Sequence, residues 1–168
     1  MTLNWSEEVV AKTRAANAVE GAIGKFWGNT KYPEKVRLNV AKSLVHSKLL
    51  VSSGLAPVLT ELAQKKMEVA YAKPIRRITG DGWTSDTPDI TGRKQVIAKA
   101  SLPQLEDVQC AARLRLVARI ASGPVVLRAL AQQEWAVSWR KQVADDVRRV
   151  KTVVGERLEK HQVQDGTL

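Results

Sequence analysis

The chain has 168 residues and a hydrophobic content of 44%, enough for a packed core and too much for wholesale disorder. Its 27 basic and 17 acidic residues leave a net charge of +10, and the pI near 10.0 points to an anionic partner, nucleic acid first. A single cysteine, Cys110, excludes an intramolecular disulfide framework and any Cys-rich zinc site.

The opening MTLNWSEEVV carries Glu7 and Glu8 where a signal peptide would be basic and then apolar. The chain is therefore expected to be intracellular and not secreted. Ser6-Glu7-Glu8 predicts a helix start, with Ser6 as N-cap and carboxylates at the positive dipole end. Val9, Thr13, Ala16, Val19 and Ile23 continue at helical spacing. Gly28 is placed to close this segment in a left-handed cap.

Pro33 opens a second predicted helix, over 33–53. Val36, Val40, Leu44 and Val51 line one side of it, and Leu38, Val45 and Leu49 line another. Such a helix is expected to be buried between neighbours. Between Lys48 and Glu61 lies the longest uncharged run, 12 residues, against the ~20 that a membrane span requires. No membrane span is expected.

A third helix is predicted over 60–78, with Pro74 expected to kink it or end it early. Ala63, Met67, Ala70, Tyr71, Pro74 and Ile78 share one side at 100° per residue. Lys65, Lys66, Lys73, Arg76 and Arg77 fall on the other. Residues 31–80 hold ten basic and three acidic residues, so this helix lies in the most positive part of the chain. Five like charges on one stripe repel unless an anion or solvent compensates them. The stripe is a candidate phosphate-backbone contact; the alternative is a solvated face on a basic protein.

Gly80 to Thr91 reads as an exposed acidic loop containing Trp83. A short helix follows over 92–101, and a further helix over 104–121. The latter has Leu105, Val108, Ala112, Leu116 and Ile120 as its core stripe, with Arg113 and Arg115 flanking it as further candidate phosphate contacts. Arg119 lies on the stripe and is expected either to snorkel at the helix end or to need a partner. Gly123-Pro124 stops this helix, and Pro124 opens another to about 133. A long last helix carries Trp135, Trp139, Val143, Val147, Val150, Val154 and Leu158 on a drifting stripe, with the tryptophans as core anchors. No segment alternates in the manner of a strand. The expected class is all-α: a compact helical bundle of five or six helices with a long C-terminal helix. Its expected division is a helical domain over 1–134, then the long helix and a short tail over 135–168.

The order of several short motifs resembles the region after the catalytic palm in non-LTR (LINE-type) retrotransposon reverse transcriptases. RLNVAKSLVHSKLL, residues 37–50, matches that family's pattern at Ser43, Leu44, Val45, Ser47, Leu49 and Leu50. Tyr71 matches that family's aromatic-rich helix, and Arg76-Arg77-Ile78-Thr79-Gly80 its Arg-Arg-Ile-x-Gly ending. Leu102-Pro103, Arg113-Leu114-Arg115 and Gly123-Pro124 match the steps that follow. The chain departs from the family at Val51-Ser52-Ser53-Gly54-Leu55, where a Tyr-Gly and a Trp are usual, and it lacks the palm. The resemblance implies a thumb-like helical region over most of residues 10–135. Such a region grips an RNA–DNA hybrid or duplex by its phosphate backbone, without polymerase activity.

Catalytic chemistry finds no support. Asp145-Asp146 sits in a helical pattern, not on the hairpin that two-Mg²⁺ chemistry needs, and reads as a pair of solvated charges near Arg148 and Arg149. His46 and His161 have no ligand at metal spacing, and Cys110 has no neighbouring His. The expectation is therefore a non-enzymatic nucleic-acid-binding chain with no metal, cofactor or small-molecule substrate. The alternatives are a basic helical module that meets an acidic protein or a membrane surface, and a retroelement remnant without selected function.

Overall fold

In the computed structural model, residues 5–56, 59–80, 90–125, 129, 131–132 and 136–164 are described, and all their regular structure is helical. The all-α class and the long C-terminal helix are as expected. The chain divides into two compact units. One comprises Met1–Ser53 with Leu59–Gln109, the other Gly54–Val58 with Cys110–Leu168.

In the first unit, α1 (Trp5–Ala22) begins one residue before Ser6, which is thus helical and not the cap. Glu7 and Glu8 do occupy the first turn. A single turn, α2 (Gly24–Trp27), follows, and Gly28 closes it with φ −88°, in the right-handed and not the left-handed region. Trp27 is fully buried, and its indole Nε1 donates to the Glu20 carbonyl at 3.0 Å. This satisfies the one polar atom of a large apolar anchor.

Pro33 stands at the N-cap of α3 (Glu34–Val40), where its fixed φ suits helix entry. The helix then widens into a π turn over Ala41–His46 and returns to α geometry in α4 (Ser47–Leu50). The chain breaks at Ser52, whose φ is +60°. Only one of the two predicted apolar sides is covered. Leu38, Ala41, Val45 and Leu49 are buried, whereas Val36, Leu44 and Val51 are exposed. The covered side is the one that meets α1 and α5.

The α5 helix (Glu61–Thr79) is capped by Thr60, whose Oγ1 accepts from the Ala63 amide at 3.3 Å. Gly80, with φ +74°, ends it in the left-handed conformation that glycine adopts without steric cost. Pro74 does not end the helix. Its side chain is fully buried, and that burial offsets the lost hydrogen bond. Helix α5 packs on α1 and on α6 (Ile90–Lys99). Between them lies the core, with small residues Ala16, Ala41, Ala63, Ala70 and Ala72 at close approaches and Trp27, Leu49, Ile75 and Ile97 filling the larger spaces. The acidic loop with Trp83 lies outside the described residues.

Helix α7 (Leu105–Ser122) buries Leu105, Gln109, Cys110 and Arg113. The predicted stripe through Val108, Ala112, Leu116 and Ile120 is only partly covered, and Arg119 is exposed. The predicted helix over 124–133 and Trp135 fall largely outside the described residues. In the second unit, α8 (Val137–Gln164) buries Trp139 and Asp146, two helical turns apart, while Val147, Val150 and Val154 stay exposed. The Trp139 Nε1 donates to the Gly54 carbonyl at 2.6 Å.

Gly54 itself touches α7 closely. A Cβ there would lie 2.9 Å from the Ala112 carbonyl oxygen and 3.4 Å from the Leu116 Cβ. Replacing Gly54 with alanine is expected to cost about 1–3 kcal/mol, because backbone must move to admit the methyl group. Urea denaturation of the Gly54→Ala chain checks this.

Candidate nucleic-acid interface

The α5 helix positions the predicted basic residues, and α1 decides what becomes of them. Glu20 lies four residues after Ala16 on the buried side of α1, with its side chain only 2% exposed. A carboxylate there must be paired, since an isolated buried charge is very costly. The partners come from α5. The Lys73 Nζ lies 2.9 Å from Glu20 Oε2, and the Arg77 Nη1 lies 2.9 Å from Oε1. Lys73 and Arg77 are four residues apart, one helical turn, so both reach the same carboxylate. Their side chains remain 35% and 47% exposed.

Lys65 and Lys66 lie exposed on the N-terminal half of α5. Lys66, Lys73 and Arg77 follow at spacings of seven and four, on one stripe of the helix. Arg76 does not share this open side. It is half-buried, with its guanidinium over Gly92 of α6. The five predicted cations therefore divide into two open lysines, two anchored cations and one arginine drawn toward the neighbouring helix.

Beneath the stripe, α5 is held by polar contacts that the sequence reading did not identify. Arg37, buried, donates to the Trp27 carbonyl at 2.5 Å and to the Ile78 carbonyl at 3.3 Å. The second bond caps one of the carbonyls left without an amide partner in the last turn of α5. His46 stacks on Tyr71 with ring centroids 4.1 Å apart. Its Nε2–H donates to the Tyr71 carbonyl at 3.0 Å. Burial, opposed by that hydrogen bond and aided by nearby Lys42, pushes the His46 imidazole down to about 4. The Tyr71 hydroxyl donates to the Pro103 carbonyl at 3.0 Å, and burial with the nearby Asp107 charge pushes the phenol up to about 12. Arg93, also buried, lies 3.6 Å from Glu68 beside a small cleft lined by Ile97, Gln104 and Leu105. The cleft has room for about one water molecule.

The remaining predicted residues belong to the second unit. Arg113 is buried, and grips Asp146 in a two-point pair: Nε to Oδ2 at 2.5 Å and Nη2 to Oδ1 at 3.1 Å. Gln142 adds a bond to Asp146 Oδ1 at 3.3 Å. Arg113 is thereby committed within its own unit, whereas Arg115 is exposed. The reading of Asp146 as a solvated charge is overturned. Only Asp145 fits that description, paired at the surface with Arg148. Cys110 is a buried thiol outside any disulfide.

Glu20 and Asp146 share a legible signal. Each is a carboxylate on the apolar side of its helix, Glu20 four residues after Ala16 and Asp146 seven after Trp139. A charge at such a position needs a partner, but its identity depends on which helix packs opposite. Among the described residues, no group of three His, Cys, Asp or Glu side chains could hold a metal ion. No described helix is long and apolar enough to cross a membrane. No protein-family model, no curated protein and no solved structure matches the chain.

Proposed function

We propose that the chain binds the phosphate backbone of a nucleic-acid duplex or RNA–DNA hybrid through α5, as a non-catalytic, thumb-like helical region of the kind found after the palm of LINE-type reverse transcriptases. The observation that carries this reading is the stripe of Lys66, Lys73 and Arg77, with Lys65 beside it, half or fully open on a chain of net charge +10. Phosphate contacts position a protein without reading bases, so binding is sequence-tolerant. Asp145 and Asp146 are each paired with an arginine.

The test is the salt dependence of binding. Each phosphate neutralised on duplex DNA contributes about −0.9 to the slope of log affinity against log salt. Replacing Lys65 and Lys66 with alanine is expected to flatten that slope by roughly two units, with the helical circular dichroism unchanged because both residues are exposed. The charge-matched control is Arg148→Ala with Arg149→Ala, on the exposed side of α8. Equal weakening by both pairs would reduce the affinity to net charge and remove α5 as the site.

A further inference from the structure

A surface lysine or arginine that meets phosphate must first give up its own conformational freedom. Both side chains carry large rotamer entropy, and immobilising each at an interface costs binding free energy. In this chain, two of the α5 cations are already held. Glu20 is buried between the two cations, with the Lys73 ammonium 2.9 Å from Oε2 and the Arg77 guanidinium 2.9 Å from Oε1, an ion pair in which Oε1 accepts no hydrogen bond. An ammonium has three donors and a guanidinium five, so most donors of both remain. The two side chains remain 35% and 47% exposed. The carboxylate is sealed below and cannot itself meet an incoming anion.

We infer that Glu20 is a positioning residue that holds Lys73 and Arg77 as a preformed two-cation seat for a phosphate group. This rests on the α5 binding proposed above and adds to it which cations bind best and why. Glu20 is negative, and plain electrostatics makes its removal strengthen the binding of any polyanion. Preorganisation makes its removal weaken that binding.

The experiment uses the full chain and a fluorescently labelled short DNA duplex, with binding read by anisotropy at fixed low salt and folding checked by circular dichroism. Glu20→Gln raises the net charge by one, yet is expected to bind at least about fivefold more weakly, as two long side chains regain their freedom. A second variant keeps every charge. A Cβ at Gly24 would lie 3.2 Å from the Arg77 Nη1, so Gly24→Ala shifts the guanidinium by a few tenths of an ångström while Glu20 stays in place. It is expected to weaken binding about twofold, as one of the two held cations is loosened. A role of Glu20 in stability alone would leave the affinity of folded Gly24→Ala unchanged. Should Glu20→Gln fail to fold, the Gly24→Ala result decides by itself. Binding that is unchanged or tighter in a folded Glu20→Gln chain, or unchanged in Gly24→Ala, overturns the positioning role and leaves the proposed function standing. Absence of duplex binding by the wild-type chain overturns both.

Discussion

Replacing Asp146 with alanine is expected to destabilise the chain by about 3–5 kcal/mol, the cost of stranding a buried charge. Arg113 loses both of its bonds to the carboxylate and stays behind with its side chain only 8% exposed. The desolvation of the guanidinium is then uncompensated, and this penalty, more than the lost attraction, sets the size of the effect. Arg113→Ala is expected to cost a similar amount, because it strands the carboxylate instead. The informative comparison is a double replacement of similar volume, Arg113→Met with Asp146→Leu. It removes both charges and is expected to recover most of the loss, since two apolar side chains need no pairing. Thermal unfolding checks all three, with a melting shift of roughly 2–4 °C per kcal/mol for a chain of this size. Single variants that lose less than about 1 kcal/mol would place the pair in the range of a surface ion pair and contradict its burial.

The second large effect is a loss of stability on mild acidification that depends on His46. The folded chain holds this imidazole near 4, whereas in the unfolded chain it returns to its ordinary value of 6.5. A lowered folded value means that the unfolded state takes up a proton which the folded state refuses. The contribution is complete above 6.5, declines as the pH falls through that value, and is gone near 4. Its full size is about 3 kcal/mol, and about 2 kcal/mol of that is expected to vanish between about pH 7 and pH 5. The physical cost is that of charging a ring that stacks on Tyr71 in a closed interior, where Lys42 adds repulsion. Urea denaturation at the two pH values, compared between the wild-type chain and His46→Gln, isolates the effect from the carboxylates. The variant should lose the extra acid sensitivity whatever its stability at neutral pH. Parallel loss in both chains would show that His46 does not titrate against folding.

The amino-acid sequence by itself determined the helical class, because apolar spacing near 3.6 residues and the absence of alternation are properties of single segments. It also determined two helix boundaries. Pro33 and the Gly123-Pro124 step act on backbone within a residue or two of themselves, so no distant contact was needed to read them. The grouping of Lys65, Lys66, Lys73 and Arg77 on one helix was legible for the same reason. Tertiary structure alone decided which apolar side of the second helix is covered, since α1 and α5 choose Leu38, Val45 and Leu49 over Val36 and Leu44. It decided that Pro74 lies inside a continuous helix, where burial of its ring offsets a local penalty. It decided the fate of the charges as well. Arg113 is taken by Asp146 across 33 residues, and Lys73 and Arg77 are taken by Glu20 from another helix. A side chain's charge is written in the sequence, but its partner is set by which surfaces come within hydrogen-bonding reach, and only the packed helices fix that distance.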